Sequence, residues 1–229
     1  MFSDTKRAVP LVRRAFEAAE DGEAKLRLGT LLCILGDARG LDIVMQSVAE
    51  AGEWDKGWNF MAMGQYGQPM SPLDVRIAAL GMAGDHRAVP AILDKVQLLT
   101  AEHDFSHYRA VGLALEALGD PRAAASLAEA LRKPGIMGYA QTSIERVAQL
   151  DPTREVSVGA VVSRRVSLRE LALARALYRC GDHKGLGKLI LGEYANDLRG
   201  HLARHAAAVL AEEGEVGPAF SHGRRAGEH

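Results

Sequence analysis

The sequence predicts an all-α protein, built as an α-solenoid of about five to six antiparallel helix pairs. Three observations predict it. A nearly constant phrase recurs at Gly36-Asp37-Ala38-Arg39, Gly84-Asp85-His86-Arg87, Gly119-Asp120-Pro121-Arg122 and Gly181-Asp182-His183-Lys184. Apolar residues keep a fixed register on both sides of each phrase. The intervals between the aspartates approximate one period or two: 35 residues from Asp85 to Asp120 and 62 from Asp120 to Asp182.

Each phrase reads as the corner of a helical hairpin. Glycine tolerates the left-handed backbone that ends a helix. The aspartate then caps the next helix, its carboxylate accepting amide hydrogens that have no partner in the first turn. Five positions before each aspartate stands a leucine: Leu32, Leu80, Leu115 and Leu177. Four, seven and eight positions after it the residues are again apolar. They are Leu41, Val44 and Met45; Val89, Ile92 and Leu93; Ala124, Leu127 and Ala128; Leu186, Leu189 and Ile190. Such spacing lines one helical face, which the neighbouring pair must cover.

Fainter echoes extend the series. Asp151-Pro152-Thr153-Arg154 stands midway in the double interval and marks a degenerate repeat over 138–166. Gly214-Glu215 repeats the corner once more. Arg7-Ala8-Val9-Pro10 matches Arg87-Ala88-Val89-Pro90, so the chain opens on the second helix of a repeat. Either the half-repeats at the ends act as caps, or the chain is part of something longer. The interval from Asp37 to Asp85 is 48 residues, one period plus an insertion. The whole of 1–229 is thus expected to be one solenoid, with an aromatic and methionine-rich insertion at 52–71.

The junction Gly84-Asp85-His86-Arg87-Ala88-Val89-Pro90-Ala91-Ile92 resembles that of HEAT repeats of the short bacterial, PBS-lyase-like type. The resemblance covers most of the chain and is weakest at 51–72 and 151–166. It implies a right-handed superhelix. It also implies a structural ladder between successive junctions, carried by Asp37, Asp85, Asp120 and Asp182 with Arg39, Arg87, Arg122 and Lys184. The motif is specific for fold and nearly silent on function. Similar repeats form C-terminal extensions of larger bacterial enzymes.

Composition narrows the classes. A formal charge of −1 gives no global field for nucleic acid or an anionic membrane. No apolar run approaches the length of a membrane span, and the first residues carry no signal peptide. Cys33 and Cys180 stand at apolar helix positions and read as buried, reduced thiols, which fits the cytoplasm. No phosphate loop and no nucleophile elbow is visible.

Three groups of residues are candidates for a site. The insertion holds Trp54, Trp58, Phe60 and Tyr66 and three methionines. Regular repeats need no such segment, so it either covers core of its own repeat or offers a binding surface. Arg164, Arg165 and Arg169 belong to a late run of basic residues that suits an acidic partner, or simply a hydrated helix face. His103 with His107, and His201 with His205, are each four residues apart and share a helix face, as ligands of a metal would. A third ligand is missing in both cases, so they read as surface or capping histidines, and no metal or cofactor is expected.

These features together predict a non-catalytic scaffold or interaction module for a protein or neighbouring domain, with nucleic acid disfavoured. The alternatives are other relatives of the fold. Deoxyhypusine hydroxylases need His-Glu pairs that this chain lacks. A DNA glycosylase would need a strongly basic cleft. A phycobilin-lyase-like protein would need a pocket lined with polar and acidic groups.

Overall fold

The computed structural model describes residues 5–59, 70–145, 147 and 161–212. They form the helices α1 (Thr5–Ala18), α2 (Gly22–Ile34), α3 (Leu41–Glu50), α4 (Pro72–Met82), α5 (Val89–Leu98) and α6 (Phe105–Leu118). After these come α7 (Ala124–Arg132), α8 (Val161–Arg179), α9 (Leu186–Ala195) and α10 (Gly200–Ala211). Among the described residues there is no β-strand. The pairs α2/α3, α4/α5, α6/α7 and α8/α9 are hairpins. Their first helices pack in series, α2 on α4, α4 on α6 and α6 on α8. The second helices α3, α5 and α7 pack in series as a second layer, while α1 lies on α2 and α10 on α9. This is a HEAT-like α-solenoid.

The corners explain the recurring phrase. Gly36, Gly84, Gly119 and Gly181 have φ of 78°, 69°, 59° and 91°, in the region that glycine enters without steric cost. In the first three corners the aspartate does not cap the long helix directly. It accepts the amide of the residue two further on (Arg39 at 3.0 Å, Arg87 at 2.9 Å, Arg122 at 2.9 Å) and so starts a 3₁₀ turn that feeds the second helix. The fourth corner differs. Asp182 and Lys184 themselves have positive φ, and the Asp182 carboxylate accepts Gly187 N at 2.7 Å and Lys188 N at 3.0 Å rather than pairing with Lys184.

The ladder residues lie along these corners. Arg87 forks onto Asp85 of its own corner (2.9 Å) and reaches Asp42 of the preceding repeat at 3.2 Å. Arg122 pairs with Asp120 at 2.6 Å and donates to the carbonyl of His86 at 3.0 Å. His86 Nδ1 lies 2.7 Å from Asp120 Oδ2. Arg122 above all, with His86, holds the Asp120 carboxyl far below the usual carboxylate range. At the first corner Asp37 pairs with Arg13 of α1, and Arg39 meets Glu17 at 3.4 Å. Most of these cations are more than half exposed, so each pair stabilises only slightly.

The core repeats with the sequence. Leu32, Leu80, Leu115 and Leu177 are each completely buried, one per pair. So are Val44, Ile92 and Leu127 on the second helices. Leu189, in register with them, is instead 60% exposed, where α9 borders the shallow groove beside Thr142 and Leu210. Leu115→Ala is expected to cost about 2–5 kcal/mol in urea unfolding, since the side chain is sealed between layers. A loss below about 1 kcal/mol would contradict this packing. Cys33 and Cys180 are free and sealed in the core, and burial pushes both thiols up to about 12.

Candidate functional site

Opposite the Gly-Asp corners, the links from one pair to the next form a second edge, and the candidate residues gather there. Residues 52–59 run as an irregular arm across the start of α6. Gly57 is what lets the arm lie flat: a Cβ there would stand 2.5 Å from His107 Cε1 and 2.6 Å from Ser106 Oγ. The arm supplies what the helix start lacks. Trp58 N donates to Ser106 Oγ at 2.9 Å, and Ser106 N donates to Trp58 O at 3.0 Å. Asp104 holds the N-cap position of α6 without capping it. Its carboxylate accepts from Asn59 Nδ2 instead, and Asn59 Oδ1 takes the Phe105 amide at 2.8 Å.

Beneath the arm lies a buried acid–imidazole pair. Asp74 closes a capping box with Ser71 at the start of α4 and is fully buried. Its Oδ1 is 2.7 Å from His107 Nδ1, and His107 is 1% exposed. Trp54 stacks on His107 with ring centroids 4.4 Å apart. His107 is therefore a core group, which corrects the reading of it as a surface or capping residue. His103 accepts the Thr100 amide on Nδ1 at 3.0 Å, and its edge faces Trp54 at 6.4 Å. Burial lowers the proton affinity of His103.

Arg169 reaches the same place from α8. It is 3% exposed, lies 5.4 Å above the Tyr108 ring, and donates to the carbonyls of Ala101 and, at 3.4 Å, His103. Tyr108 OH donates to Thr100 O at 2.5 Å. Thus Trp54 and Arg169, 115 residues apart in sequence, meet through the turn at 99–104. Arg165 lies one helical turn before Arg169, and Arg164 beside it is exposed. Trp58 packs edge-on against Phe105 at 6.0 Å. Phe60 and Tyr66 lie outside the described residues.

A device that sequence reasoning missed runs along this edge. At three places a cation donates to a carbonyl of an earlier link. Lys95 binds Gly52 O at 3.0 Å, Lys133 binds Leu99 O at 2.8 Å, and Arg199 binds Tyr139 O at 3.0 Å. Buried acids receive backbone amides there as well. Glu170 accepts Gly138 N at 2.8 Å and Tyr139 N at 2.9 Å, and Asp197 accepts Gln141 N at 2.7 Å. Only the Ser71-x-x-Asp74 spacing of a capping box announced any of this in sequence.

Four buried polar atoms on the edge have no hydrogen-bond partner: Trp54 Nε1, Asp55 Oδ1, Arg165 Nε and Arg169 Nε. Three of the four are donors. Further along, His201 is exposed, and its proton affinity is lowered by burial first and then by Arg164, Arg199 and Arg204. Asp197, which favours the charged form of His201, is buried and already engaged by Arg199. Among the described residues no cluster of His, Cys, Asp and Glu could hold a metal ion, and no helix is long and apolar enough to cross a membrane.

No family model matches the sequence, and no curated protein matches it. Among solved structures, the chain is similar to one in the complex of CpcE and CpcF of phycocyanin lyase from Nostoc sp. PCC7120. The identity is 19%, over 90% of this chain and 77% of that one, with a TM-score of 0.43. That likeness is one of HEAT-like fold. The expectation of a non-catalytic chain is corrected by this finding, since the similar chain belongs to a lyase complex.

Proposed function

We propose that this chain is a HEAT-like binding protein that takes an acidic segment of another protein, or of a neighbouring domain. The segment lies along the edge from Trp54 through Arg164 and Arg165 to His201 and Arg204. One observation carries the reading: the arm and the basic cluster, separate in sequence, converge on the turn at 99–104. Aromatic and guanidinium groups side by side are the usual anchors of a binding surface.

The test is site-specific photocross-linking in the native host, with the cross-linker at Lys56 or Arg164 on the edge, or at Arg27 or Glu129 away from it. All four positions are exposed. The same polypeptide is expected to be captured from both edge positions through an acidic segment, and from neither control. Arg164→Glu with Arg204→Glu should lower capture at least about tenfold at low salt, since screening weakens such contacts. Equal capture at the controls, or capture indifferent to charge reversal, overturns the reading. Retention of a bilin or of duplex DNA at this edge, sensitive to the same two changes, would replace it with one of the alternatives.

A further inference from the structure

We propose that the contact between Arg175 and His205 is a proton-sensitive latch that ties α10 to α8 at neutral pH and loosens it as the pH falls. The proposal does not depend on the partner reading above.

The geometry fixes the protonation state. Arg175 Nη1 lies 3.0 Å from His205 Nε2. A guanidinium has donors only, so Nε2 must offer its lone pair and the ring must be neutral with its proton on Nδ1. Protonating Nε2 ends the hydrogen bond and turns it into a contact between two cations.

The surroundings sharpen the effect. Arg175 also donates to Glu116 of α6 at 2.5 Å through Nη2, and Arg179 bridges Glu116 and Glu212. From α8, Arg175 and Arg179 disfavour a charged His205; from its own helix, Glu212 favours one. On α9, the helix packed against α10, the charged residues Lys188 and Glu193 line the groove beside Leu210. Glu116 is consumed by the two arginines, and Glu212 is shared with Arg179. Burial, ahead of the arginines, also lowers the proton affinity of His205.

The sign follows. A histidine whose affinity for a proton is lower folded than unfolded contributes stability that is complete above its ordinary value of 6.5 and is lost as the pH falls below it. Leu202, Ala206 and Val209 keep α10 packed on the core, so the release is a loosening and not a detachment.

The test is amide hydrogen exchange of the intact chain at pH 7.5 and 5.5, corrected for the intrinsic rate. Protection of the α10 amides is expected to fall several-fold more than that of the α6 amides, with about tenfold as the ceiling that a group of ordinary value 6.5 sets at pH 5.5. His201, one turn earlier on α10, also has a lowered proton affinity, so the comparison is made in a His201→Gln background, where His205→Gln, which keeps a neutral polar group, should remove that difference. Equal losses in α10 and α6, or an undiminished loss in His205→Gln, overturns the latch. Nitrogen NMR of the imidazole gives a check that needs no variant: a proton on Nδ1 at pH 7.5 is expected, and a proton on Nε2 contradicts the proposal.

Discussion

Replacing Gly81 with valine is expected to cost about 3 kcal/mol or more in urea unfolding, the upper range for overpacking a tight interface. Gly81 lies inside α4, where helix propensity alone would favour a larger residue by up to about 1 kcal/mol. The neighbour decides otherwise. A Cβ at this position would stand 2.3 Å from Ala114 Cα and 2.7 Å from Ala114 O, both backbone atoms of α6 that no side-chain rotation can move. Gly112 repeats the arrangement one helix further on, against the Ala172 carbonyl at 2.8 Å. The first-helix layer therefore owes its close spacing to these bare positions. Gly192 of α9 is the control: a Cβ there meets nothing within 4 Å, so Gly192→Ala should stabilise by about 0.5–1 kcal/mol. If Gly81→Val and Gly192→Ala shifted stability alike, the proposed contact between α4 and α6 would be wrong.

The second large effect is expected at the pair beneath the arm. His107→Leu leaves Asp74 Oδ1 without its partner in a site with no solvent access, and an unpaired buried polar group costs about 1–3 kcal/mol, on top of about 1 kcal/mol or more for the lost stacking with Trp54. Adding Asp74→Ala removes the unpaired carboxyl group and with it the capping box on α4, a further loss of about 1 kcal/mol by itself. The double variant should nevertheless be more stable than the sum of the single losses predicts, by at least about 1 kcal/mol of coupling. Tryptophan fluorescence should report the same change, because Trp54 stacks on His107. Strict additivity of the two substitutions would show that the imidazole and the carboxylate do not interact in solution.

Much of the fold was legible because its signals are local. A glycine, an aspartate directly before the next turn, and a leucine five residues before that aspartate are set by one corner and need no knowledge of the rest. Leu189 escaped the pattern because burial of a second helix depends on the neighbour it meets, and α9 borders a groove. The site was legible only in pieces. The insertion stood out by composition, and the arginines stood out by number. Their meeting did not, because it depends on which turn lies across the end of which helix. The carbonyl of His103 and the guanidinium of Arg169 are 66 residues apart. Gly57 gave no warning either, since its role is to leave room for an imidazole 50 positions later. His107 was misjudged for a related reason: a histidine turns inward only where a carboxylate waits, and Asp74 sits on another helix.

The corners offer the most direct measurement of the stack itself. Arg39, Arg87, Arg122 and Lys184 can each be replaced by cysteine and spin-labelled in pairs, since Cys33 and Cys180 are sealed from reagents. Packed helices lie about 10 Å apart, so electron–electron distances should lengthen in chain order, with Arg39 to Lys184 the longest of the set. An Arg39–Lys184 distance as short as that between adjacent corners would mean a bundle closed on itself, and would contradict the open stack on which the site depends.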